Sequence, residues 1–166
     1  REFYEGTASH SMLYLEKKYQ GAKIAETLNG QALLRYKKWG IKRIEITAAD
    51  VGRYAWARLG FNMKVPVQFA RAANEYIDQH VEPSKREDYK AKARMLADSP
   101  WKLAKWDDGK TYPVKPSDHI KAGEHPIGKA LLLDDDTPMW TGEMTIDDEN
   151  SGYRNALRLL NVADKR

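Results

Sequence analysis

In Ile41 to Thr47, IKRIEIT, a single carboxylate alternates with aliphatic residues: Glu45 lies out of phase with Ile44 and Ile46 and so projects from the opposite face of a strand. A carboxylate held there can take a proton from a neighbouring group, directly or through a water, which makes Glu45 a general-base candidate. A charged residue on the exposed or helix-covered face of a strand is the plainer outcome. Other groupings carry less chemistry. His80, His119 and His125 have no tight ligand spacing, and only the fold could gather them with Asp118 or Glu124, so no metal site is expected. Asp134, Asp135 and Asp136, and later Asp147, Asp148 and Glu149, lack the alternating spacing and central glycine of a calcium loop and read as solvated turns. The chain has no cysteine, which excludes disulfides, thiolate zinc sites and cysteine nucleophiles.

The elements that must position Glu45 form a strand-helix-strand unit. Ser11 to Leu15, SMLYL, is rich in strand formers and ends at Glu16, Lys17 and Lys18, which predicts a buried strand. From Gly21 to Trp39 the period changes: Ile24, Leu28, Ala32, Tyr36 and Trp39 form the stripe of an amphipathic helix, and Gly40 stops it. The strand from Ile41 to Thr47 follows, and a crossover of this length lets the two strands lie parallel with a right-handed connection. Asp50 is placed to cap a helix from Val51 to Leu59 that ends at Gly60.

Beyond Phe61 the pattern turns helical. Pro66 opens a helix through His80, with Phe69, Ala72, Ala73, Tyr76 and Ile77 on one face. Ser84 and Glu87 make a capping-box pattern for a second helix through Leu96, and Ser99-Pro100 starts a short third. Asp107 to His125 reads as an irregular connection, Lys129 to Leu133 and Trp140 to Ile146 as strands, and Tyr153 to Leu160 as a closing helix. Trp101, Trp106, Tyr112 and Trp140 read as core or interface anchors. The expected organisation is a core over residues 1–64 and, over 65–166, a largely helical extension with a small β element packed on it.

Leu13 to Ala25, LYLEKKYQGAKIA, resembles the strand-loop-helix that binds acetyl-coenzyme A in the GNAT superfamily of N-acetyltransferases, whose loop reads Gln/Arg-x-x-Gly-x-Gly/Ala. Gln20 and Ala25 match its first and last positions, and Lys23 stands in place of the central glycine. Trp39-Gly40-Ile41 to Ala48 is similar to that family's helix-ending glycine and next strand, and Arg58-Leu59-Gly60-Phe61 to its Lys-Leu-Gly-Phe ending of the following helix. The resemblance covers residues 12–61. It implies a mixed α/β fold of GNAT type, acetyl-coenzyme A as cofactor and transfer of an acyl group to an amine.

The same resemblance implies roles. Backbone amides of Gly21, Ala22, Lys23, Ile24 and Ala25 would face the pyrophosphate at a helix N-terminus, with Gln20 shaping the loop. Lys23 keeps its own N–H and adds a positive charge where glycine would allow closer approach. Glu45 would lie beside the acceptor amine, and Glu16 near the splayed strands that hold the thioester. The family's tyrosine general acid, five residues before the terminal phenylalanine, falls on Trp56, and Tyr54 is the nearest substitute. Only about ten residues precede the predicted cofactor strand, where the family has several strands and helices. The acceptor half is therefore expected on a protein partner, on a longer precursor, or replaced by the C-terminal extension. Gly52 to Phe61, GRYAWARLGF, also resembles stretches in domains of phage head-associated proteins and secreted polymorphic toxins. That second resemblance implies a non-catalytic component of a virion, proteolytically processed, or a delivered effector.

Composition sets the outer bounds. Apolar residues are 42% and charged residues 31% of 166, which fits a globular chain and not a disordered one. The net charge is +4, but the densest basic stretch, Lys85 to Lys105, also carries Glu87, Asp88 and Asp98. It reads as solvated helix faces, so nucleic acid is a weakly supported partner. No apolar run approaches a bilayer-spanning length, and no membrane partner is expected. The first residue is Arg1 and nothing near it has the apolar core of a secretory signal. The expectation is a piece of a longer polypeptide, cytoplasmic or virion-associated.

Overall fold

Glu5 and Gly6 take φ of 41° and 75°, the backbone twist a two-residue hairpin turn requires, and join β1 (Glu2–Tyr4) antiparallel to β2 (Thr7–His10). The computed structural model describes residues 2–10, 24–64 and 66–160. α1 (Ile24–Lys38) leads to β3 (Arg43–Ala48), which pairs parallel with β2. α2 (Val51–Leu59) ends at Gly60, whose φ of 113° lets its N–H return to the carbonyls of Trp56 and Ala57. β4 (Asn62–Met63) follows. The chain then leaves the sheet through α3 (Pro66–His80), α4 (Arg86–Ala97) and α5 (Pro100–Leu103). β5 (Tyr112–Val114) and β6 (Gly123–His125) make a separate antiparallel pair, and α6 (Ile127–Leu133) follows them. The chain returns as β7 (Trp140–Thr145) and closes with α7 (Ser151–Leu159).

The main sheet is mixed, in the order β1-β2-β3-β7-β4, with β7 antiparallel to both of its neighbours. Residues 65–166 thus contribute a central strand to the sheet begun by residues 1–64. Register puts Phe3, Ala8, Ile44 and Met144 in one row, and His10, Ile46 and Gly142 in another on the same face. That face is the apolar one, met by Tyr36 of α1 and Trp56 of α2. The opposite face carries Glu2, Ser9, Glu45 and Glu143 in one row with Arg43 and Thr145 beside them, all half-buried or exposed. Buried Arg53 ties α2 to the loop after α6 by donating to the carbonyls of Asp50, Leu133 and Thr137.

Several expectations are corrected. The strand parallel to β3 is Thr7–His10, so residues 2–10 build a hairpin ahead of the place expected for it; the predicted strand at 11–15 lies outside the described residues. Of the predicted stripe, Leu28 on α1 and Trp39 just beyond its end are exposed (46% and 61%), and the buried side of α1 runs through Asn29, Ala32, Leu33 and Tyr36. Lys129 to Leu133, expected as a strand, is helical; a short run that is buried at all positions but Lys129 has no period that tells strand from helix. Asp50, at φ 48°, makes no side-chain cap, and the helix predicted from Ser84 starts at Arg86 after a turn of 3-10 helix without a capping box. Within the connection predicted as irregular, β5 and β6 pair. The helices at Val51–Leu59 and Pro66–His80 and the strand from Trp140 stand where the sequence put them.

Candidate functional site

β2 delivers His10 to the apolar face, where its Nε2 lies 2.7 Å from the Tyr36 hydroxyl oxygen, and the two share a buried hydrogen bond. The Trp56 ring stands edge-on to the imidazole at 5.9 Å and packs on Phe61 at 5.1 Å. A void of ≈ 10 Å³ adjoins His10, lined also by Asn29, Tyr36, Trp56 and Leu59. It is at the lower limit for one water. Outside it a groove of ≈ 120 Å³ runs between α1, α2 and the end of α7, lined by Asn29, Tyr54, Ala55, Arg58, Leu59, Leu159 and Leu160. Asn29 and Leu59 line both spaces, so they form the partition between the groove and the His10–Tyr36 pair.

α7 can close the groove because its start meets the end of α2 at two glycines. A Cβ on either Gly60 or Gly152 would collide with the other's backbone carbonyl. The Asn150 side chain caps α7 by accepting from the Tyr153 N–H at 2.9 Å.

Glu45 lies on the other face of the sheet. Its carboxylate accepts from the Tyr4 hydroxyl at 2.6 Å and the Lys64 ammonium at 3.3 Å, with Arg43 Nε at 3.4 Å. The Tyr4 hydrogen bond first, and then that of Lys64, hold this carboxyl below the usual carboxylate range, while the bond to Glu45 pushes the Tyr4 phenol up. A carboxylate so lowered binds a proton less readily, which weakens it as a base at neutral pH. Tyr54 is half-buried in the groove on the helical side, so Glu45 and Tyr54 are not brought together.

Of the candidate cofactor residues, Gln20, Gly21, Ala22 and Lys23 lie outside the described residues, as does Glu16. Ile24 and Ala25 form the first turn of α1. Among the described residues no group of three His, Asp or Glu side chains gathers to hold a metal ion. Instead, His80 rests on the Tyr76 ring at 4.5 Å, and Asp134, far from solvated, is buried where it accepts from the Lys115 and Asp136 N–H groups. Among the same residues no helix is long and apolar enough to cross a membrane.

No family model, curated protein or solved structure matches this chain. Sequence reasoning missed the His10–Tyr36 pair, because His10 sits in a strand the sequence did not disclose. The one signal for it was Tyr36, an aromatic with a polar tip on a helix stripe, which needs a partner once buried.

Proposed function

We propose that this chain is an acetyl-coenzyme A-dependent N-acyltransferase-type domain of GNAT-like fold. The observation that carries the reading is the groove between α1 and α2, which only Asn29 and Leu59 separate from a buried His10–Tyr36 pair at the end of β2. The parallel β2–α1–β3 crossover supports it. In this reading the His10–Tyr36 pair handles the proton, since Glu45 is engaged on the far face. Calorimetric titration with acetyl-coenzyme A tests it: saturable binding is expected, Leu159→Trp should abolish it by filling the groove, and no heat at millimolar ligand would end the reading.

A second reading is favoured by Trp56, whose packing against His10 and Phe61 fills the place of the tyrosine acid. It is a non-catalytic component of a virion, or a delivered effector, that keeps the fold as a binding scaffold. Binding of acetyl-coenzyme A without acetyl transfer to any of a panel of amines would select it.

A further inference from the structure

Arg58, Lys105, Lys129 and Arg158 come from distant stretches of the chain, yet α2 packs against α5, α6 and α7 and draws them to one side of the molecule. Arg58 lines the groove. Lys129 Nζ stands 5.4 Å from the ring centroid of Tyr54, another groove residue. Lys105 Nζ donates to Asn155 Oδ1 at 2.9 Å, and Arg158 Nη2 reaches the same oxygen at 3.4 Å. Asn155 in turn donates to the Arg58 carbonyl at 2.8 Å, which fixes this pair of cations beside α2.

Two cations thus share one neutral acceptor, Lys105 also standing 4.8 Å from the Trp101 ring centroid, and among the described residues no carboxylate answers them. Lys37, Lys64, Lys90, Lys110 and Lys115 each have an acidic partner elsewhere on the surface. Among the described residues none of the four cations here forms an ion pair. Their mutual field is unfavourable: burial first and then Arg58 pull the Lys129 ammonium below its ordinary pKa, and burial, Arg158 and Arg58 do the same to Lys105. Positive charge gathered against its own repulsion, around a concave wall of Tyr54, Leu159 and Leu160, is the electrostatic form of a site awaiting an anion.

We propose that Arg58, Lys105, Lys129 and Arg158 form an anion subsite at the mouth of the groove that takes the phosphoryl groups of a small phosphorylated ligand. A small ligand fits better than a nucleic-acid strand, because Arg58 lines a groove of ≈ 120 Å³, Lys129 stands over its Tyr54 wall, and Lys105 and Arg158 gather on the one Asn155 side chain instead of following a track. The subsite stands apart from the acyl-coenzyme A reading, since any ligand presenting two phosphoryl groups would satisfy it.

The test is calorimetry and thermal melting of the full chain with inorganic pyrophosphate, a single-stranded oligonucleotide and acetyl-coenzyme A, in the wild type and in Arg58→Gln/Lys129→Gln. Expected are pyrophosphate binding that weakens with salt, at least about tenfold weaker binding in the double variant, and a variant melting temperature no lower than wild type, because repulsion has been removed. Absence of pyrophosphate binding, equal binding in the variant, or oligonucleotide binding with pyrophosphate silent would each overturn the proposal. Pyrophosphate binding without acetyl-coenzyme A binding would remove the acyl-coenzyme A reading and leave this subsite standing. Acetyl-coenzyme A binding untouched by the two substitutions, with pyrophosphate silent, would do the reverse.

Discussion

The Tyr36 hydroxyl meets His10 inside the core, beside a void with room for one water at most, so Tyr36→Phe should cost about 1 kcal/mol in a denaturant titration. Glu45 differs, because its partners stand at the surface. Folding lowers its pKa, so its contribution is fully present above the ordinary carboxylate value of about 4 and is lost as pH falls through the lower folded value. Glu45→Gln should therefore destabilise by less than about 1 kcal/mol at pH 7, with the difference from wild type closing in acid, as unfolding curves at both pH values would show. The alternation that marked Glu45 in the sequence did place it opposite Ile44 and Ile46. What alternation cannot say is which face the helices cover, and that choice decides whether a carboxylate looks into a groove or into solvent.

Helix ends were legible where one residue carries the whole signal, and not where the signal needs a partner. Gly60 announces the end of α2 by itself, whereas Gly152 has meaning only against the Gly60 carbonyl, far away in sequence. Gly152→Ala should cost about 1–3 kcal/mol, because backbone on both sides leaves no flexible side chain to give way; thermal melts read it. Asn150→Ala should cost about 1 kcal/mol by removing the cap of α7, without touching the sheet. The same distinction explains α6: Lys129 to Leu133 shows only that it is apolar, and helical form follows from burial between elements the sequence does not name.

At the scale of the whole molecule, a strand-helix-strand crossover into β3 was foreseeable from punctuation and period, but its first strand was expected at Ser11 to Leu15 and lies at Thr7–His10, and the placement of β7 was not foreseeable at all. Local pattern marks a strand from Trp140 without marking its neighbours, and the register of Arg43 to Ala48 against Trp140 to Thr145 is a long-range fact. A fragment ending at Lys64 would have β3 paired on one side only, and β4 would lose its sheet partner. Such a fragment should show no cooperative thermal transition by circular dichroism, while residues 1–160 should melt as one unit.

The position of β7 also orders events during synthesis. β3 leaves the ribosome long before its antiparallel neighbour, and α2 through α6 must be made while the edge from Arg43 to Ala48 stays unpaired. A strand waiting in that state is a template for the wrong partner, and loop closure over so long a stretch is slow. Pausing of translation, or a premature stop before Trp140, should thus yield aggregation-prone chains. Chaperone demand should end when β7 enters the sheet, whatever has already folded around α3 and α4.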